Sequence, residues 1–332
     1  MKVRNAAALL FIFVLALLLA ANAQARPWKI SHVRPQDTAI DKDLKWFADQ
    51  VEQATNGEIT MKIYAASSLG DYTVVQERVG MGAVDMACQP PTSKADKRFQ
   101  LVYFPYMVQD WEQAQKNYSS GAPLRKTISE LYARQGIHVL AAWPVYFGGI
   151  SLNTEPVAPG DPDTKKGIKV RVPPMKSFKL LADSIGYMGT PIPFSDAFTS
   201  VQTGVVDGVI GSGAEGYYAS FRDVTKYYIP ANTHFEVWYL IINDRMYNEL
   251  DPEVQKQLDE TAKRFEQRRW ETAKSDQAAN EQKLADYGAE IVELTPEQIA
   301  AYAQVAREEV WPKILEDVGK EWGQKVLDQV IK

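Results

Sequence analysis

The chain has 332 residues, with 37 lysine and arginine side chains against 42 aspartates and glutamates and a formal charge of −5. An acidic chain with no basic cluster is a poor candidate for binding nucleic acid or anionic lipid, and a single cysteine, Cys88, excludes an internal disulfide. Eight Trp and sixteen Tyr are more aromatic surface than a core alone asks for.

Two positive charges in Met1-Lys2-Val3-Arg4 precede an apolar run from Ala6 to Ala21, the layout of a secretory signal. Cleavage after Ala23 or after Ala25 fits the small residues there, and Ala25 is favoured. The alternative is a retained anchor, for which the run falls a little short of the roughly 18 apolar residues that span a bilayer. No cysteine follows the run to accept a lipid, and no later segment is long and apolar enough to span. Loss of the two charges Lys2 and Arg4 takes the formal charge from −5 to −7. About 307 residues would remain, enough for two lobes in an exported, periplasmic protein.

Trp28 to Val33 alternates like a half-buried strand, and Leu44, Phe47, Ala48 and Val51 then share one helical face that closes at Asn56-Gly57. A strand from Ile59 to Tyr64 follows, then a helix from Val74 to Met81 that stops at Gly82, then a short strand Ala83–Ala87. The alternation predicts an α/β fold. The same grammar returns where a helix over Ala197–Thr203 stops at Gly204: Gly82-Ala83-Val84-Asp85 and Gly204-Val205-Val206-Asp207 share one pattern. Glycine can end the helix in the left-handed conformation, and the aspartate can hold the turn. The repeat points to two similar lobes. Glu155 to Lys166, rich in proline and polar residues, reads as a linker or surface loop. Asp251-Pro252 starts a helix that runs to about Tyr287, long enough at about 50 Å to brace both lobes. Thr295-Pro296-Glu297-Gln298 has capping-box spacing.

Catalytic machinery is sparse. His32, His138 and His234 are isolated, neither H-E-x-x-H nor G-x-S-x-G occurs, and Cys88 reads as a small strand residue. Gly211-Ser212-Gly213-Ala214-Glu215-Gly216 matches a dinucleotide fingerprint, but it lies two-thirds along the chain instead of opening a fold. Its backbone N–H groups still face a crevice. Arg171, in Lys169-Val170-Arg171-Val172-Pro173, stands at a strand end, where a guanidinium can fork onto a carboxylate or make an ordinary ion pair. No cofactor or metal site is expected.

Taken in order, Phe47-Ala48 through Asn56-Gly57, Ser68-Leu69-Gly70, Gly82 to Asp85, Phe104-Pro105-Tyr106, Lys166 to Pro173, Gln202 to Gly208 and Thr233-His234 resemble the solute-binding proteins of tripartite ATP-independent periplasmic (TRAP) transporters, of the organic-acid-binding type. The resemblance covers almost the whole chain after the leader. It implies a two-lobed α/β clamshell with a long helix spanning both lobes: residues 26–148 plus about 236–276 in lobe I, and 149–235 plus about 277–332 in lobe II. It also implies delivery of a carboxylate to a TRAP permease driven by an ion gradient. A monomer is expected, since closing on a ligand requires both lobes to move freely, with a dimer through the long helix as the alternative. Arg171 then takes the role of carboxylate partner, Phe194 packs on the ligand, and Trp238 lies where some members place an aromatic contact.

Two departures bear on the solute. Gly211-Ser212-Gly213 replaces a polar residue of many members, and Trp143 to Gly149 lacks a second basic residue that certain members carry. Both exchange polar bulk for space or aromatic surface. The expected ligand is therefore a monocarboxylate with an apolar or aromatic body, stacked by some of Trp143, Tyr146, Phe147, Phe194 and Trp238. Gln89, Gly211 and Ser212 complete the expected site, with Glu215 as counter-charge should the ligand carry an amine, as an aromatic amino acid would. The competing readings are a ligand-sensing protein for a membrane receptor and an exported NAD-dependent oxidoreductase.

Overall fold

The computed structural model describes residues 26–330, so the expected signal segment and its cleavage site lie outside the described residues. Two sheets organise the chain. The first has the order β2-β1-β3-β10-β4, built from β1 (Trp28–Ser31), β2 (Met61–Tyr64), β3 (Met86–Gln89), β4 (Ile137–Phe147) and β10 (Phe235–Asn243). The second runs β11-β9-β5-β8-β6-β7, from β5 (Gly149–Leu152), β6 (Lys169–Val172), β7 (Met188–Pro191), β8 (Gly208–Ser212), β9 (Tyr227–Ile229) and β11 (Glu290–Ile291).

Both sheets follow one plan. Three parallel strands (β2-β1-β3 and β7-β6-β8) are followed by an antiparallel neighbour, β10 or β5, that has crossed from the other half of the chain. The two crossings lie side by side: Thr233 N–H donates to Gly148 O and Gly148 N–H to His234 O, each at 2.8 Å. A β-hairpin could not produce this exchange, because each strand enters a sheet whose other members lie far away in sequence.

The repeated glycine–aspartate segment falls at the same place in each sheet. Gly82 and Gly204 both have positive φ, 75° and 74°, where any other residue would be strained. Asp85 Oδ2 accepts from Lys29 N at 2.8 Å, and Asp207 Oδ2 from Lys169 N at 3.0 Å. Each aspartate thus satisfies the first of the three parallel strands in its sheet, a more distant partner than the local turn predicted for it. For the same reason β3 starts at Met86, three residues later than predicted: the chain needs Ala83 to Asp85 to make the turn.

The helix predicted from Asp251-Pro252 spans Pro252–Asp286. Its Glu266 accepts from Ala142 N and Ser120 N, Arg269 donates to Pro144 O, and Gln277 accepts from Phe147 N. Further along it packs on the helix Ala214–Phe221 of the second sheet. The capping box at Thr295 forms with both of its hydrogen bonds. The last helices, Trp311–Val318 and Lys320–Val330, rest on the 3-10 turn Lys97–Tyr103 and the helix Pro123–Ala133. Asp317 ties Lys97 and Gln100 to Lys176 of the second half.

Candidate ligand-binding site

A narrow cavity of about 30 Å³ lies between the sheets. The first half supplies Val33, Arg34, Tyr72, Tyr103 and Tyr146 to its wall, the second half supplies Arg171, Phe178, Phe194, Gly211 and Ser212, and β10 supplies Glu236 and Trp238. Its wall carries six aromatic side chains, with two cations and two carboxylates among or beside it.

Arg171 lies on β6, opposite Thr190 of β7 and Val209 of β8, and is 1% exposed. Its Nε donates to Ile192 O at 2.8 Å, while Nη2 has no partner. The guanidinium sits 5.8 Å from the centre of the Phe194 ring, and Tyr72 is close enough to feel its charge. Among the described residues the other deeply buried arginines, Arg34, Arg125 and Arg269, each lie within ion-pair reach of a carboxylate: Glu215, Glu266 and Asp276. Arg171 has no such partner. Burial therefore pushes its guanidinium below the ordinary arginine range.

Arg34, just after β1, reaches across to Glu215 at the start of the helix Ala214–Phe221. Its Nε donates to Oε2 at 3.0 Å and to Oε1 at 3.2 Å, and Nη2 approaches Oε2 at 2.9 Å. Phe194 and Trp238 flank the same guanidinium at 5.0 and 4.9 Å. Burial opposes the Arg34 charge, but Glu215 beside it more than compensates and holds it above the ordinary range. The expected role of Glu215 is revised accordingly, because its charge is already met by Arg34 from the opposite sheet.

Glu236 is the acid that sequence reasoning missed. It is 4% exposed, with Oε1 accepting from Trp238 Nε1 at 2.6 Å and from Tyr103 at 3.3 Å, and Oε2 lying 3.1 Å from His234 Nε2. Its signal was present in Phe235-Glu236-Val237-Trp238-Tyr239-Leu240. A charge inside a continuous apolar strand is costly unless it is paired or used.

The structure brings Tyr146, Ser212, Gly211, Phe194 and Trp238 to the cavity with Arg171, and Tyr146 and Ser212 share a hydrogen bond of 3.2 Å. Three other candidates stand behind its wall. Trp143 lies 5.3 Å behind Trp238, its N–H on Asp43 and its ring under Arg269, so it supports Trp238 rather than facing the cavity. Phe147 packs among Trp111 and Phe235 in the core. Gln89 donates to Tyr72 O and so fixes the helix start that carries Tyr72. Strand geometry sends alternate side chains to opposite faces, so neighbours in a motif need not share a cavity.

The glycine-rich match has a packing reason. A Cβ on Gly211, whose φ is 98°, would run into Pro173; one on Gly213 would meet the Tyr146 ring, and one on Gly216 would meet Ser212 and Arg34. Gly213 and Gly216 thus let the two halves approach each other. Among the described residues no three His, Cys, Asp or Glu side chains are grouped to hold a metal, and Cys88 is buried, its thiol pushed up by burial.

A family model described as bacterial extracellular solute-binding protein, family 7, matches residues 30–317. The chain is 28% identical over 298 residues, 88% of each chain, to the C4-dicarboxylate-binding periplasmic protein DctP of Rhodobacter capsulatus. It is 24% identical over 331 residues, 96% of this chain and 93% of the other, to the ectoine-binding periplasmic protein TeaA of Halomonas elongata. In structure it is similar to an extracytoplasmic solute receptor of Bordetella pertussis that binds pyroglutamic acid, with a TM-score of 0.82 at 24% identity over 93% of this chain and 100% of that one. It is also similar to a TRAP periplasmic solute-binding protein of Desulfovibrio salexigens with bound orotic acid, with a TM-score of 0.83 at 20% identity over 92% and 97%. The two-lobed α/β architecture is common to these structures. With the family model spanning nearly all of the described chain, this protein belongs to the bacterial extracellular solute-binding proteins of family 7, the solute receptors of TRAP transporters, and is a binding protein rather than an enzyme.

Proposed function

We propose that this chain captures a small organic carboxylate between its lobes in the periplasm, as a monomer, and hands it to the membrane subunits of a TRAP permease. The observation that carries the carboxylate is Arg171: a guanidinium 1% exposed, with a free Nη2 and no carboxylate of its own. Isolated burial of a charge is strongly unfavourable, and a ligand carboxylate removes the penalty while making charge-assisted hydrogen bonds. The lobes divide near Phe147–Gly149 and Ala231–Phe235, where the chain crosses, and the long helix ties them together.

The body of the ligand lies against Tyr72, Tyr103, Tyr146, Phe178, Phe194 and Trp238, which favours a flat or apolar body over a polyhydroxylated one. The ring acids pyroglutamate and orotate, bound by the two structurally similar proteins above, are in keeping with a compact cyclic acid. The test is a thermal-shift and calorimetric screen of organic acids and amino acids on protein freed of co-purified ligand by unfolding and refolding. A rise in midpoint with a carboxylate, absent in Arg171→Ala, is the expected result. A ligand that binds Arg171→Ala as tightly as the parent would sink the assignment.

A further inference from the structure

We infer that Glu236 receives a nitrogen donor of the ligand, an ammonium or N–H group, so that the solute is a carboxylate that also carries such a donor rather than a plain acid or a dicarboxylate. The inference rests on the carboxylate reading of Arg171 and deepens it.

Four charged side chains stand in or beside the cavity wall, and two of them satisfy each other: Arg34 and Glu215 are joined through both carboxylate oxygens. What remains in the wall is one cation, Arg171, and one carboxylate, Glu236, whose Oε2 lies 3.1 Å from the His234 imidazole. A monocarboxylate alone would balance Arg171 and leave Glu236 with only His234 to offset its charge. A dicarboxylate would be worse, because its second carboxylate finds no free guanidinium. A ligand with both a carboxylate and a cationic or N–H group leaves the enclosed site balanced.

The hydrogen-bond inventory agrees. A carboxylate has about four acceptor positions. Oε1 of Glu236 is filled by Trp238 and Tyr103, and Oε2 receives only His234, which leaves one position on Oε2 for a donor. His234 is itself fixed by Thr233 at 3.0 Å and by the edge contacts of Tyr103 and Phe178. The acceptor is therefore pre-positioned, as a selective site requires. Selectivity built on a buried polar group is steep, because a ligand lacking the donor strands the acceptor.

Matched pairs test this by calorimetry on the refolded protein and on Glu236→Gln: L-phenylalanine against 3-phenylpropanoate, L-leucine against 4-methylpentanoate, L-proline against cyclopentanecarboxylate, with succinate as the dicarboxylate. In the pair that fits, the nitrogen-bearing acid binds at least ~10-fold tighter than its partner, and E236Q removes most of that advantage by weakening the nitrogen-bearing acid and tightening the plain acid, whose stranded charge it removes. Equal binding of the two members, tightest binding of succinate, or an advantage that survives in E236Q overturns the inference and leaves the Arg171 reading standing. Should E236Q not fold, the parent protein's own preference decides. Binding of none of these carboxylates removes the Arg171 reading and, with it, this inference.

Discussion

β1 pairs with β3 in the same register as β6 pairs with β8, and the two pairs carry different residues at matching positions. Lys29 and Lys169 hold the same position, each bonded to the aspartate of its Gly-x-x-Asp turn. Ile30 pairs with Met86 as Val170 pairs with Gly208. One step further along, Ser31 in the first sheet corresponds to Arg171 in the second, and beyond that Gln89 corresponds to Gly211. The scaffold positions repeat because both sheets need the same turn and the same strand-edge bond.

The largest test of that comparison breaks the bond between the halves. Arg34→Met leaves Glu215 buried without its partner, an expected loss of about 3–5 kcal/mol in denaturant unfolding. The double variant Arg34→Met with Glu215→Leu should recover much of it, since neither charge is then stranded. Next is the divergent pair of strand residues: Arg171→Ala should weaken carboxylate binding by about 2–5 kcal/mol by calorimetry, while Ser31→Ala leaves it nearly unchanged. The unliganded midpoint of the Arg171 variant should not fall, because a guanidinium without a carboxylate is removed.

A smaller contrast lies one position pair away. Gly211→Ala forces a Cβ onto Pro173 at a positive φ and should cost about 1–3 kcal/mol of stability, whereas Gln89→Ala should act by loosening Tyr72. The smallest effect concerns the shared turns. Burial raises the Asp85 carboxyl, but the Arg26 bond and the Lys29 N–H outweigh it and hold it below the ordinary carboxylate range. Its stabilising contribution is therefore complete above the unfolded-chain value of about 4 and is lost as pH falls through the lower folded value. Asp85→Asn should lower stability at neutral pH by about 1 kcal/mol and make the acid limb of the stability profile shallower, which unfolding curves at successive pH values below 5 would check.

How much was legible follows from distance along the chain. The helix from Pro252, the capping box at Thr295 and the helix-ending glycines Gly82 and Gly204 are each set by residues within a few positions of one another, and all appear where periodicity and capping place them. The start of β3 was misplaced because Asp85 answers to Lys29, 56 residues away. The site was half legible: Arg171, Phe194, Trp238 and Tyr146 meet at the cavity, but Glu236, Arg34, Tyr103 and Phe178 were not named, and Trp143 and Phe147 were named for a wall that they only support.

By itself the sequence determined the alternation of strands and helices, the repeated turn that makes the two sheets alike, and the presence of a guanidinium at a strand end. Those are local matters of periodicity, capping and φ. Only the tertiary structure decided which charges are already spent. Arg34 meets Glu215 across 181 residues, and Tyr103 meets Glu236 across 133, because two crossings of the chain carry β5 and β10 into each other's halves. Whether a buried charge has a carboxylate partner is a property of that exchange, and it is what separates Arg171 from the other buried arginines.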